Sequence, residues 1–139
     1  MSSIRLVALA LIEHNGRWLF ARSHDPSTNE EFYRPLGGGI DFGERSDEAL
    51  RRELREELHY EIKNLRFVDV IENQFTYNQQ PNHEVALIYT ADFMDNSPYT
   101  QNTLPKYDGH SKEAVWLSAE ESANVNLYPT GIRKFIVAD

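Results

Sequence analysis

Cysteine is absent from the 139 residues. That excludes disulfide cross-links and thiolate-ligated metals, and it is compatible with a reducing cytosol, so a cytoplasmic location is expected. Long hydrophobic runs are also missing. The early apolar run, Leu6 to Ile12, is bounded by Arg5 and Glu13 and is too short to span a bilayer, so it reads as a strand. No small-residue cleavage signal follows it, and neither Ser2 nor the ending Val137-Ala138-Asp139 carries a lipid-attachment signal, so no membrane association is expected. Positive charge is scarce: 14 Lys and Arg stand against 22 Asp and Glu, a formal net charge of −8. Such a surface repels a long polyanion, so nucleic acid is not an expected partner. Internal repeats, heptads, low-complexity tracts and a convincing linker are lacking as well, and residues 1–139 are expected to form one domain.

What is present alternates between strand and helix patterns. Ile4 to Ile12 is rich in strand formers and is followed by Asn15-Gly16 and then Trp18, Leu19 and Phe20. Asn-Gly suits the two left-handed positions of a tight hairpin turn. The polar stretch Ser23 to Pro35 reads as a surface loop and ligand rim. Gly37-Gly38-Gly39 is unsuited to the interior of a helix or strand. A helix is expected after Gly43, with Ser46 as N-cap, Asp47 and Glu48 in the first turn, and His59 and Tyr60 at its end. Leu50, Leu54 and Leu58 recur every four residues and define its buried stripe.

Strand patterns resume in Leu65 to Ile71 and Val85 to Tyr89, with Gln74 to His83 between them as a hairpin loop. Asp95 to His110 is a polar connection, and Ala114 to Leu117 a short strand. Ser118 with Glu121 makes a capping box, and Pro129 opens a last helix that turns Ile132, Phe135 and Ile136 inward. The expected architecture is α/β, a mixed sheet with a helix on each face.

Chemistry concentrates in Glu44 to Glu61, where acidic residues are interleaved with arginines. Glu53, Glu56 and Glu57 stand at spacings of three and four and therefore share one side of the helix, next to the leucine stripe. Like charges so placed repel, more strongly as they are desolvated, and a hard divalent cation with oxygen ligands removes the penalty. Alternating acids and arginines are equally common on solvated faces, so the helix alone does not decide. The glycines add backbone that an ion or phosphate can approach closely. The segment Gly39 to Glu44 has neither the spacing of a dinucleotide fingerprint nor the Lys-Ser/Thr of a P-loop.

These residues resemble the signature of the Nudix hydrolases. Gly38 is followed after five residues by Glu44, and after seven more by Arg52-Glu53-Leu54-Arg55-Glu56-Glu57-Leu58. The sequence departs from the family at His59, where the signature has glycine, at Tyr60, where it has an aliphatic residue, and at Leu36, where many members have proline. The resemblance implies an α/β/α sandwich with a mixed β-sheet. It also implies metal-dependent hydrolysis of a diphosphate (pyrophosphate) linkage in a nucleotide or nucleoside diphosphate derivative, by attack of activated water on phosphorus.

The resemblance further implies that Glu53, Glu56 and Glu57 bind Mg2+ or Mn2+, with Glu53 or Glu57 near the water and the Gly38 carbonyl completing the shell. Arg52 and Glu44 are implied to pair and set the helix against the glycine turn. Glu113 is the expected extra ligand or base. Arg22, Tyr33, Arg34 and the backbone of Gly37, Gly38 and Gly39 are expected to contact substrate, with Phe32 alongside. Phe75 and Tyr77 are read either as substrate contacts or as hairpin packing, and His83 and Glu84 either as ligands or as satisfied edge groups. His110 lies in a loop that could close over substrate. The expected partner is a small-molecule nucleotide or nucleotide derivative; the sequence leaves open whether a homodimer completes the pocket. The competing readings are a non-catalytic nucleotide-binding or sensor domain of the same fold, a partner-binding protein with a solvated acidic helix and, more narrowly, an RNA-end hydrolase, for which the acidic surface offers no basic track.

Overall fold

The computed structural model describes residues 2–109 and 113–137; His110 lies outside them. Among the described residues, strands β1 (Ile4–Leu11), β2 (Glu13–His14), β3 (Arg17–His24) and β4 (Glu31–Gly39) precede helix α1 (Ser46–Leu58). Strands β5 (Ile62–Tyr77), β6 (Gln80–Phe93), β7 (Thr103–Pro105) and β8 (Glu113–Ser118) follow, then a short helix α2 (Ala119–Ser122) and a 3-10 turn at Thr130–Phe135. The sheet runs β5-β6-β1-β4-β3-β8-β7, with β2 paired to β3. It is mixed, since β1 pairs parallel with β6 and antiparallel with β4.

The apolar run Leu6 to Ile12 lies near the middle of this sheet, and its period of two feeds two cores. Ala8, Ala10 and Ile12 pack with Leu50, Leu54 and Leu58 of α1. Val7, Leu9 and Leu11 pack on the other face with Ile71, Ile88 and the C-terminal Ile132 and Ile136. Leu54 is wholly buried, so Leu54→Ala is expected to cost about 2–5 kcal/mol. Urea denaturation checks this, and a loss below about 1 kcal/mol would mean that the helix does not rest on its leucine stripe.

The structure differs from the sequence-based expectations at several elements. Ser46 is not the N-cap: Arg45 holds that position without a side-chain cap bond, because the Ser46 hydroxyl bonds the hydroxyl of Tyr89 instead. The loop expected over Ser23 to Pro35 shrinks to the turn between β3 and β4, and Phe32, Tyr33 and Arg34 are strand residues paired with β3. Pro35 stands where β4 leaves β3 for β1. The glycines that follow it also lie in β4, opposite Leu9, Ala8 and Val7. The loop expected over Gln74 to His83 contracts to a turn at Asn78 and Gln79, both at positive φ. Polar residues there belong to strands because β5 is an edge strand with one solvated face. The last helix is instead the 3-10 turn Thr130–Phe135; Ile132 within it and Ile136 just after it are buried, and Phe135 is partly buried against the same core.

The hairpin at Asn15 and Gly16 forms with positive φ at both residues. The Ser118–Glu121 capping box is complete.

Candidate active site

Helix α1 lies against β4 and β1 and presents its acidic side to the glycine run. At Gly37 the backbone has φ +141°, and a Cβ there would overlap the carbonyl oxygen of Ala8. Only glycine lets β4 pass β1 this closely. At Gly38 an added Cβ would stand 2.5 Å from Oε2 of Glu53, so the Glu53 carboxylate rests in the space where a side chain would be.

Arg52 organises the entry to the helix. Its Nε and Nη2 donate to the two carboxylate oxygens of Glu44 at 2.8 and 2.9 Å, and Nη2 also donates to the Gly39 carbonyl at 2.9 Å. This forked pair ties the turn before the helix to the end of β4. Nη1 reaches Glu53 at 3.0 Å and Glu56 at 3.0 Å. The guanidinium, with help from the Asp41 amide, holds the Glu44 carboxyl down at about 2, from an ordinary 4.5.

The sign of the stability effect follows. Between about 2 and 4.5 the unfolded chain binds a proton at Glu44 that the folded chain does not. The contribution of Glu44 is therefore complete above pH 4.5 and is lost as pH falls through about 2. The stability gap between the parent and Glu44→Gln is expected to be wider at pH 6 than at pH 3, measured by urea denaturation at each pH. An equal gap at both would show that the pair does not act through charge.

Glu57 is the buried acid of the set, 3 % exposed. Its Oε1 accepts the Gly37 amide at 2.9 Å, and its Oε2 accepts the Lys106 ammonium at 2.8 Å. Desolvation pushes the Glu57 carboxyl up to about 7, against the opposing pull of Lys106. Burial also raises Glu53, while Arg52 lowers it.

Glu53, Glu57, Gly37 and Gly38 line a cavity of about 400 Å³. Phe32, Phe75, Tyr77 and Tyr128 line it too, drawn from three stretches of chain. Their rings meet edge-on or tilted: Phe32 with Tyr77 at 6.0 Å, Phe32 with Tyr128 at 5.7 Å and Phe75 with Tyr128 at 6.1 Å. Asn73, Asn82 and Asn126 add amides to the lining. Buried Glu84 sits between Arg5 at 3.3 Å and Arg34 at 3.5 Å, and all three line the same cavity.

Other expected site residues do not line the cavity. Glu56 is half exposed and pairs with Arg52. Glu113 pairs with Arg22 at 2.7 Å across β8 and β3. Tyr33 donates to Glu31 and packs against the core on the C-terminal side of the sheet. Side chains alternate along β4, so Phe32 and Arg34 reach the cavity while Tyr33 between them does not. His83 pairs with Glu72 at 2.8 Å. Gly39, Glu56, Glu113, Arg22 and Tyr33 are not part of the cavity lining. Sequence reasoning passed over Arg5, Asn73, Lys106 and Tyr128. They lie on separate segments that only the fold brings to one cavity.

Glu53 and Glu57 bring two carboxylates to the cavity lining, beside Gly38. Oxygen donors are what a hard divalent ion prefers, and magnesium commonly takes one or two carboxylates, with water and phosphate oxygens filling its shell. Among the described residues no three Asp, Glu or His side chains converge as a preformed cage. Arg52 draws Glu53 and Glu56, and Lys106 draws Glu57.

Comparison with known proteins fixes the class. The NUDIX domain model matches residues 3–137, and the chain belongs to that family. It is 35% identical over 129 residues to a nucleoside triphosphatase, NudI, of Escherichia coli O139:H28, covering 88% of each chain. A NudI from E. coli O17:K52:H18 is 30% identical over 130 residues, again with 88% of each chain covered. In fold, the chain superposes on the MutT NUDIX hydrolase of Burkholderia pseudomallei with a TM-score of 0.71 at 22% identity, covering 99% of this chain and 100% of the other. Membership of the family supports hydrolase activity on pyrophosphate linkages. The flanked mixed sheet agrees with the fold that the resemblance implies.

Proposed function

We propose that this protein hydrolyses a diphosphate linkage in a nucleotide or nucleoside diphosphate derivative, by attack of water on phosphorus, with Mg2+ or Mn2+ as cofactor. The observation that carries the reading is the placement of Glu53 and Glu57 on the glycine wall of the cavity. Glu53, Glu57 and the Gly38 carbonyl would hold the ion. A divalent cation bound there supplies charge neutralisation for the phosphoryl oxygens and lowers the pKa of water.

The chain's own residues do the rest. Arg52 and Glu44 lock the helix to the turn so that the carboxylates keep their aim. Arg34 and Arg5, steadied by Glu84, offer guanidiniums to phosphate oxygens. Phe32, Phe75, Tyr77 and Tyr128 offer faces and edges for a planar base. Glu53 or Glu57 accepts the proton from the attacking water. The resemblance to proteins named nucleoside triphosphatases makes nucleoside triphosphates the first substrates to try.

The test is a panel of nucleoside tri- and diphosphates and nucleotide sugars, with Mg2+ or Mn2+ in oxygen-18 water and products read by mass spectrometry. Cleavage with one labelled phosphate product, abolished by EDTA, is expected. No turnover of any member with either metal sinks the proposal.

A second reading is a domain that binds the nucleotide without cutting it. The pairing of Glu57 with Lys106 favours it, because that acid already has a counter-charge. Such a domain would leave bound substrate intact with and without EDTA.

A further inference from the structure

The departure from the signature at His59 has a structural partner. His59 closes α1 in the left-handed conformation, φ 63° and ψ 32°, which a glycine would adopt without strain. Its imidazole stacks on Tyr107, with ring centroids 3.8 Å apart and planes 8° from parallel. The Tyr107 amide donates to the Glu57 carbonyl at 2.9 Å. The residue before it, Lys106, extends into the cavity wall. Its side chain is 4% exposed, with the ammonium 2.8 Å from Oε2 of Glu57 and 3.4 Å from Oδ2 of Asp108. The segment after β7 is thus pinned to the end of α1 at three points: a ring stack, a main-chain bond and an ion pair.

We propose that Lys106 is a cation built into the site, that it competes with the divalent ion for Glu57, and that the stack of Tyr107 on His59 holds it in place. This rests on the reading of Glu57 as a metal ligand. Both Glu57 oxygens have donors, the Gly37 amide on one and the ammonium on the other. A divalent ion that takes Oε2 must displace the ammonium or share the oxygen with it, and two cations so close, shielded from water, repel strongly. The lysine cannot withdraw freely while its neighbour is clamped by the ring stack and the main-chain bond. The loop therefore sets how much metal the protein needs, and Lys106 acts as a positioning residue rather than a catalytic one.

The test is calorimetric titration of Mn2+ alone, without substrate, into the metal-free full chain. Lys106→Met is expected to bind Mn2+ about tenfold more tightly than the parent, because it removes a competing positive charge beside Glu57. Tyr107→Ala and His59→Gly, which release the clamp, fall between the two. Adding Glu57→Gln to Lys106→Met cancels the gain. Should Lys106→Met fail to fold, Lys106→Gln keeps a donor for Glu57 while removing the charge, and the same tightening is expected. A lysine that only braced the fold would lower the melting temperature and leave Mn2+ affinity unchanged or weaker, and that result overturns the inference. If the parent hydrolyses diphosphates through Glu57 while the lysine variants bind Mn2+ as the parent does, only the role of Lys106 falls. If the parent neither binds Mn2+ through Glu57 nor hydrolyses any diphosphate, the functional reading falls and this inference with it.

Discussion

Glu57→Gln is expected to lower the rate of metal-dependent diphosphate hydrolysis by roughly 10²–10⁴-fold, the range lost when a positioned acid-base group is removed. Glutamine has nearly the same shape and still offers an oxygen to the Gly37 amide, which Glu57 engages at 2.9 Å. It lacks the negative charge that a divalent ion and a proton both need. The substitution also leaves the buried Lys106 ammonium, 2.8 Å away, facing a neutral amide, so some stability is lost as well. Steady-state kinetics with Mg2+ and Mn2+, run well below the melting temperature of the variant, separates the two effects. A folded Glu57→Gln protein with parental turnover would remove Glu57 from the chemistry.

Two adjacent glycines are expected to fail in different ways when each is changed to alanine. Gly37→Ala places a methyl group on the backbone carbonyl of Ala8 at a φ of +141°, a conformation that side chains rarely adopt. The obstacle is main chain in the middle of the sheet, where Leu9 pairs with Gly37, so neither side can yield cheaply. A loss of more than about 4 kcal/mol, or no soluble protein, is expected.

Gly38→Ala meets the Glu53 carboxylate first, 2.5 Å from the added Cβ, and that side chain can swing aside. Its fold should survive while Mn2+ binding and hydrolysis drop, because Glu53 is pushed off the cavity wall. Gly43→Ala, at φ +87° with nothing within 4 Å, serves as the comparison and is expected to cost about 1 kcal/mol. Denaturation curves and kinetics on the three variants check the ranking. A stable Gly37→Ala protein would mean that the close approach of β4 to β1 is not needed.

The parts legible in the chain itself were those decided over a few residues. The leucine stripe of α1, the Asn15-Gly16 turn and the Ser118 capping box follow from periodicity and turn chemistry, which act locally. The Glu44–Arg52 pair was legible only through the resemblance to the family signature, and the structure forms it. The same local rules misjudged the edge strand β5 and the glycine-bearing β4. A polar face or a missing side chain there reflects a neighbour that periodicity does not contain.

What only the tertiary structure decided is which distant residues share the cavity. Lys106 reaches Glu57 across 49 positions of sequence, and Glu84 reaches Arg5 across 79. The parallel pairing of β1 with β6 sets Arg5 opposite Glu84, and the docking of Tyr107 on His59 brings in Lys106. Sheet order and loop docking are settled by the burial of two apolar faces at once, a property of the whole chain rather than of any segment in it.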